Sequence, residues 1–243
     1  MSRLHVGRGT TRGALTVFPI WGEYDAPRGY TLDAASLLLS EVPAGPCVNA
    51  LMAVNGGERP VLLLEGQLLD GGWQNRMLAR SVLVPPRASL DLEVACVEAG
   101  RWHGADRHRA GRRRASMRVR NVDHSAPGDA AQREVWRRIG EYDALFGDNH
   151  TSSLAEHADR AAGAVDELVD TLRPLPGQVG VVVGIAGQPV MLEAFDSPRT
   201  LRDQFASIVW AAGLDALGQQ PVRTPARRAV RFVDRAALVH AVP

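Results

Sequence analysis

Apolar and polar positions alternate along the first hundred residues in short runs separated by turn signals. The stretch GALTVFPIW (13–21) reads as a strand, and TLDAASLLLSEV (31–42) as a strand or a short helix followed by one. CVNALMAVN (47–55) is β-like and stops at Asn55-Gly56-Gly57, a strong turn signal. Pro60 and VLLLEG follow, so the spacing predicts a hairpin pairing Val48–Val54 with Val61–Leu64. After the Asp70-Gly71-Gly72 turn, MLARSVLVPP and ASLDLEVACVE supply two further strands around Pro85-Pro86. Many short strands with frequent turns point to an antiparallel sandwich or barrel-like sheet.

The pattern then changes. Residues 101–124 are dense in Arg and His and poor in large apolar side chains, which predicts a surface connector. Beyond it the period becomes helical. Val135, Ile139, Tyr142 and Phe146 share one helix face. Ser153 and Glu156 form a capping-box pattern ahead of a stripe at Leu154, Ala158, Ala161, Val165, Leu168 and Leu172, which Pro174 and Pro176 terminate. Residues 179–195 read as strand, turn, strand. Ser197-Pro198 offers an N-cap and an N1 proline to a helix carrying Leu201, Phe205, Ile208 and Ala212. Ala229–Val233 reads as a last strand. The expectation is an α+β protein, one domain over 1–243, with a β-rich part (1–100), an Arg-rich connector (101–127) and an α-rich part with a hairpin (128–243).

Composition narrows the class. The chain has 243 residues, 45% hydrophobic and 23% charged, enough for a substantial core. Its net charge of +1 argues against a general polyanion binder, and all 28 basic residues are arginine, read as genome-wide bias rather than a site. Two cysteines, Cys47 and Cys96, sit in apolar surroundings and read as free thiols, with a disulfide between adjacent strands as the secondary reading. The N-terminus lacks an apolar signal core and no apolar run reaches membrane-spanning length, so a cytoplasmic protein without membrane contact is expected.

Most candidate chemistry falls away. The glycines at 177, 180, 184 and 187 thread through β-like residues, whereas a dinucleotide fingerprint needs a strand before them and a helix directly after. His103, Asp106 and His108 lie in an arginine-rich stretch that opposes a cation, so neither a metal nor a cofactor is expected. His157 is expected at a solvated helix position. Arg112-Arg113-Arg114 lacks the wider basic, aromatic-bearing face of a nucleic-acid footprint, and no G-x-S-x-G elbow occurs.

Polar clusters at strand ends between 61 and 102 remain: Glu65, then Gln74, Asn75 and Arg76, then Glu98, Arg101 and Trp102. Arginine forks suit phosphate or carboxylate, amides read sugars or base edges, and a tryptophan stacks on rings. A carboxylate ending an apolar strand is exposed, paired or protonated. A salt-bridge network closing the sheet end, with Trp102 as its lid, accounts for the same residues.

The run VNALMAVNGGERPVLLLEGQLLDGGWQNR, continued by SVLVPP and LEVACVEAGRW, resembles the ARPP-1 domain family, and VGVVVGIAGQPVMLEAFDSPRTLRDQF resembles its C-terminal part. The likeness spans about residues 10–220. It departs at Gln67, where the family shows an acid. The resemblance implies a link to ADP-ribosylglycohydrolases and NAD or ADP-ribose metabolism, and it carries over Asn55, Gln74, Asn75, Arg76, Glu98, Arg101 and Trp102 as site residues. The leading expectation is a small-molecule binding protein for a nucleotide or ADP-ribose-like ligand. Arg76 and Arg101 would hold phosphate, Trp102 would stack, and Gln74 and Asn75 would read sugar or base. A hydrolase or transferase with Glu98 or Glu65 as general base is the second reading. A non-catalytic interaction protein is the third, and homo-oligomerisation is compatible with all three.

Overall fold

In the computed structural model, residues 4–23, 28–126 and 128–239 are described. The chain begins with β1 (His5–Val6), β2 (Thr10–Arg12) and β3 (Leu15–Trp21). It continues through β4 (Leu37–Ser40), β5 (Ala50–Asn55), β6 (Val61–Leu63), β7 (Gln67–Gly71), β8 (Arg76–Leu78), β9 (Val82–Val84), β10 (Ser89–Cys96) and β11 (Arg107–Arg114). Helices α1 (Met117–Arg120), α2 (Ala130–Gly140), α3 (Asp143–Phe146) and α4 (Leu154–Val169) follow. The hairpin β12 (Gly180–Ile185) and β13 (Gln188–Ala194) precedes α5 (Pro198–Ala216) and α6 (Ala226–Val239). Two compact units result: Gly29–Ala162, and Met1–Arg28 together with Gly163–Pro243.

The middle unit is a closed antiparallel barrel in the order β10-β5-β4-β11-β7-β8, with β6 and β9 paired separately. Closure removes the unpaired edges that a sheet would otherwise expose. Register sets Leu39 against Ala53, Leu51 against Leu92 and Leu78 against Val94, and these side chains fill the interior with Val61, Leu63 and Val84. Burying each such aliphatic chain contributes about 1.5–3 kcal/mol. At the barrel's rim, the Gln132 amide of α2 accepts from the Cys96 amide and donates to its carbonyl, both at 2.8 Å, continuing the strand's bonding from a helix.

Three local expectations are corrected in this unit. β5 does not pair with β6; it lies between β4 and β10, and β6 pairs with β9. Asn55 explains the divergence. Its side chain donates to the carbonyls of Arg59, Val84 and Pro85 and accepts from Ser36 Oγ and Gly57 N, so the turn is pinned to other segments. The expected connector contains strand β11, whose inward positions are His108 and Ala110 rather than large apolar residues. His157 is fully buried, not solvated: Nε2 lies 3.1 Å from Asp143 Oδ1 and 2.9 Å from Asn149 Nδ2.

The other unit is a sheet of order β1-β3-β12-β13, with β2 also on β3. Every residue of β3 from Leu15 to Ile20 is buried, as for a strand covered on both faces. The Val179–Phe195 hairpin forms as expected, turning at Ala186-Gly187. Ser197 caps α5 by accepting from Arg199 N. Residues 229–233 are helical, not a strand: Ala229 and Val233 are successive rungs of a helical stripe buried against Phe18, Ile20 and Val182.

Candidate functional site at one end of the barrel

Side chains two apart on a strand share a face. Extending the inward rows by one step therefore predicts what closes the barrel end. On β10, Leu92 and Val94 lead to Cys96; on β8, Leu78 leads back to Arg76; past β4, Leu39 leads to Glu41; on β11, Ala110 leads back to His108. All four end-layer residues are buried. An apolar core thus gives way to a layer containing a guanidinium, a carboxylate, an imidazole and a thiol.

Arg76 is 0% exposed. It donates to Gln74 Oε1 at 2.9 Å and the Cys47 carbonyl at 3.4 Å, both neutral acceptors, while its Nε has no hydrogen-bond partner among the described residues. No described carboxylate stands within ion-pair distance of it. Burial pulls the guanidinium below its ordinary pKa, with Cys96 and Glu41 acting the other way; an arginine still keeps its proton.

Glu41 Oε1 accepts from the Trp73 amide at 3.3 Å and stands 3.1 Å from His108 Nε2, whereas Oε2 is buried without a partner among the described residues. Burial pushes His108 below its ordinary pKa, against the bond and charge of Glu41, so the ring is neutral at pH 7. The same burial raises the Cys96 thiol, which removes it as a nucleophile. Gly72 presses on this ring: its φ is +56°, and a Cβ there would sit 2.0 Å from His108 Nε2.

Two tryptophans cover the layer. Trp73 and Trp102 meet edge to face at 5.7 Å, and the Trp102 ring lies 5.8 Å from Arg76 Cζ, within cation–π reach. Trp102 is 45% exposed, and Trp73 Nε1 is buried with no partner among the described residues.

The remaining expected residues form the frame around this layer. Glu98 Oε2 accepts from Asn75 N at 3.1 Å and from Arg101 Nε and Nη2 at 2.8 and 2.7 Å, while Oε1 accepts from Thr151 Oγ1 at 3.4 Å. Arg101 also donates to the carbonyls of Gly71, Gly72 and His103 and to Asn75 Oδ1. Gln74 Nε2 donates to the Glu98 carbonyl at 3.1 Å. These four side chains fasten the β7–β8 turn to the segment after β10. Their hydrogen-bonding capacity is largely consumed there.

Two expected residues lie elsewhere. Asn55 pairs with Leu37, four residues before Glu41 and so about 13 Å back along the barrel. Glu65 follows β6, its carboxylate 3.5 Å from Arg120 Nη1 and its carbonyl held by Arg114. Position 67 is a clamp: Gln67 accepts from Leu64 N and donates to the Gly111 carbonyl, which a carboxylate cannot do.

Sequence reasoning missed Glu41, His108 and Trp73. Glu41 carried a usable signal, an acid just past the apolar run Leu37–Leu39, close to the pattern that singled out Glu65. Among the described residues no group of three His, Cys, Asp or Glu is placed to hold a metal ion, and no helix is long and apolar enough to cross a membrane.

Compared with known families, residues 3–241 match the ARPP-1 model, the ARG and Rhodanese-Phosphatase-superfamily-associated Protein domain. Comparison with curated proteins and with solved structures found no match.

Proposed function

The chain belongs to the ARPP-1 family, and from that membership and the barrel-end geometry we propose that this end binds an anionic sugar-phosphate ligand, a nucleotide or ADP-ribose-like molecule. One observation carries the reading: a fully buried arginine with no carboxylate partner stands beside further unsatisfied polar atoms. Arg76 Nε–H and Trp73 Nε1–H want acceptors, and Glu41 Oε2 wants a donor. Each unmade bond costs about 1–3 kcal/mol in a buried setting. Phosphate oxygens next to a ribose hydroxyl offer that combination, two acceptors and one donor. Trp102 supplies both the entrance and a stacking face, since its ring covers Arg76 yet is half exposed. Gln74, Asn75, Glu98 and Arg101 hold the turn that presents Trp73 and Arg76; they act as positioning residues.

The test is a titration of the full chain with ADP-ribose, NAD and inorganic phosphate, followed by tryptophan emission. Saturable change with the sugar-phosphate ligands supports the reading, and a flat response to all three at millimolar concentration removes it.

A second reading, hydrolysis of such a ligand, draws on the Glu41–His108 pair. A neutral imidazole bonded to a carboxylate can take a proton from water and pass it to a leaving group. Glu98 is less suited, because Arg101 and Asn75 occupy its Oε2 and Thr151 its Oε1. This reading expects Glu41→Gln to bind ligand without turning it over.

A further inference from the structure

In the unit built from the chain ends, a cavity of about 330 Å³ lies between α6 and the start of β13, lined by Gln188, Pro189, Arg228, Arg231, Phe232 and Arg235. All its ionisable lining groups are arginines. They stand at i, i+3 and i+7 of α6, one stripe of the helix. Arg227 adds a further exposed charge at i−4 from Arg231. Like charges at this spacing repel and weaken a helix.

On α2 and α4 the helical arginines have carboxylate partners. Arg137 pairs with Glu134 and Glu141, Arg138 with Glu134, and Arg160 with Glu156. On α6, by contrast, Arg228 donates to the Gly187 carbonyl at 2.7 Å, a neutral acceptor, and neither Arg231 nor Arg235 has an ion-pair partner among the described residues. Asp234, the acid nearest in sequence, lines a different groove with Val230 and Val233. The helix therefore keeps a row of guanidinium groups over a concave surface. Arg228 and Arg235 are about 10 Å apart along the axis. A single phosphate is too short to meet all three; a linear chain of phosphates is not. Phe232 and Pro189 add an apolar patch for a ring, and the volume suits a nucleotide-sized molecule.

We propose that this cavity is a second anion site, for a small molecule carrying a linear polyphosphate, the nucleoside triphosphate class. It shares no residue with the barrel end and stands independently of the reading given there.

Calorimetric titration of the full chain with inorganic triphosphate, ATP and inorganic phosphate tests it. Triphosphate and ATP are expected to bind, phosphate at least tenfold more weakly, and affinity should fall steeply with salt. The double variant Arg231→Ala, Arg235→Ala is expected to lose at least tenfold in triphosphate affinity, with its circular dichroism unchanged. Arg76→Met should bind triphosphate like the parent chain, which separates this site from the barrel end. Absence of heat at millimolar triphosphate, or affinity indifferent to the double variant, overturns the proposal. So does a single-stranded oligonucleotide that binds the same arginines at least tenfold more tightly than ATP, which would assign the surface to nucleic acid.

Discussion

Arg76 and Arg101 are three-dimensional neighbours with opposite expected responses to removal. Arg76→Met deletes a charge that is 0% exposed and bonded only to Gln74 Oε1 and the Cys47 carbonyl. Losing two charge-assisted bonds costs about 1.5–3 kcal/mol each. Against that, the effective penalty for burying an ion is several kcal/mol, and the variant is relieved of it. The terms offset, so Arg76→Met should shift unfolding stability by less than about 2 kcal/mol in either direction. Arg101→Met differs because it strands the Glu98 carboxylate, whose side chain is 9% exposed, and frees the carbonyls of Gly71, Gly72 and His103. Breaking such a pair from one side costs about 3–5 kcal/mol. Urea denaturation of both variants, with equal m-values, reads the difference. If Arg76→Met loses as much stability as Arg101→Met, Arg76 is part of the frame and the barrel end is a structural network.

Other outcomes follow from the same geometry. The folded state holds His108 below its ordinary value of 6.5, so at acid pH the unfolded chain binds the extra proton first. The His108 contribution to stability should be full above about pH 6.5 and fall as pH drops below it; burial holds His124 and His157 low as well, so His108→Gln should reduce, without abolishing, that slope of a denaturation profile. Gly72→Ala forces a Cβ to 2.0 Å from His108 Nε2 at positive φ, and should destabilise by more than about 1–3 kcal/mol and shift the His108 ring resonances in NMR spectra. Gln67→Glu restores an acid but removes the donor to the Gly111 carbonyl; a loss of about 1–3 kcal/mol in thermal unfolding, with no gain in ligand binding or turnover, is expected.

What the sequence made legible was local. The Val179–Phe195 hairpin, the Ser197 cap and the stripe of α4 each depend on residues within a few positions of one another. The pairing of β5 did not, because strand order is decided when the barrel closes. β11 was hidden for a physical reason: at the barrel end the inward side chain is His108, so the usual apolar alternation is missing. Residues 229–233 were too short a window to separate a strand from one turn of an amphipathic helix. Of the polar clusters, Gln74-Asn75-Arg76 and Glu98-Arg101-Trp102 converge at one end of the barrel, whereas Glu65 lies elsewhere. Their division into frame and layer was not readable, because Glu98 and Arg101 look as available as Arg76 until their partners are known. The Glu41–His108 contact joins positions 67 residues apart, a relation that only closure creates.

The proposed function requires Arg76 to meet a ligand's charge. Calorimetric titration of ADP-ribose into the parent chain and into Arg76→Met tests it most directly. Saturable heat is expected from the parent and an affinity about 30- to 140-fold weaker in the variant, the loss that follows when a charged contact worth about 2–3 kcal/mol disappears. Equal binding by both proteins, or no heat from either at millimolar ligand, contradicts it.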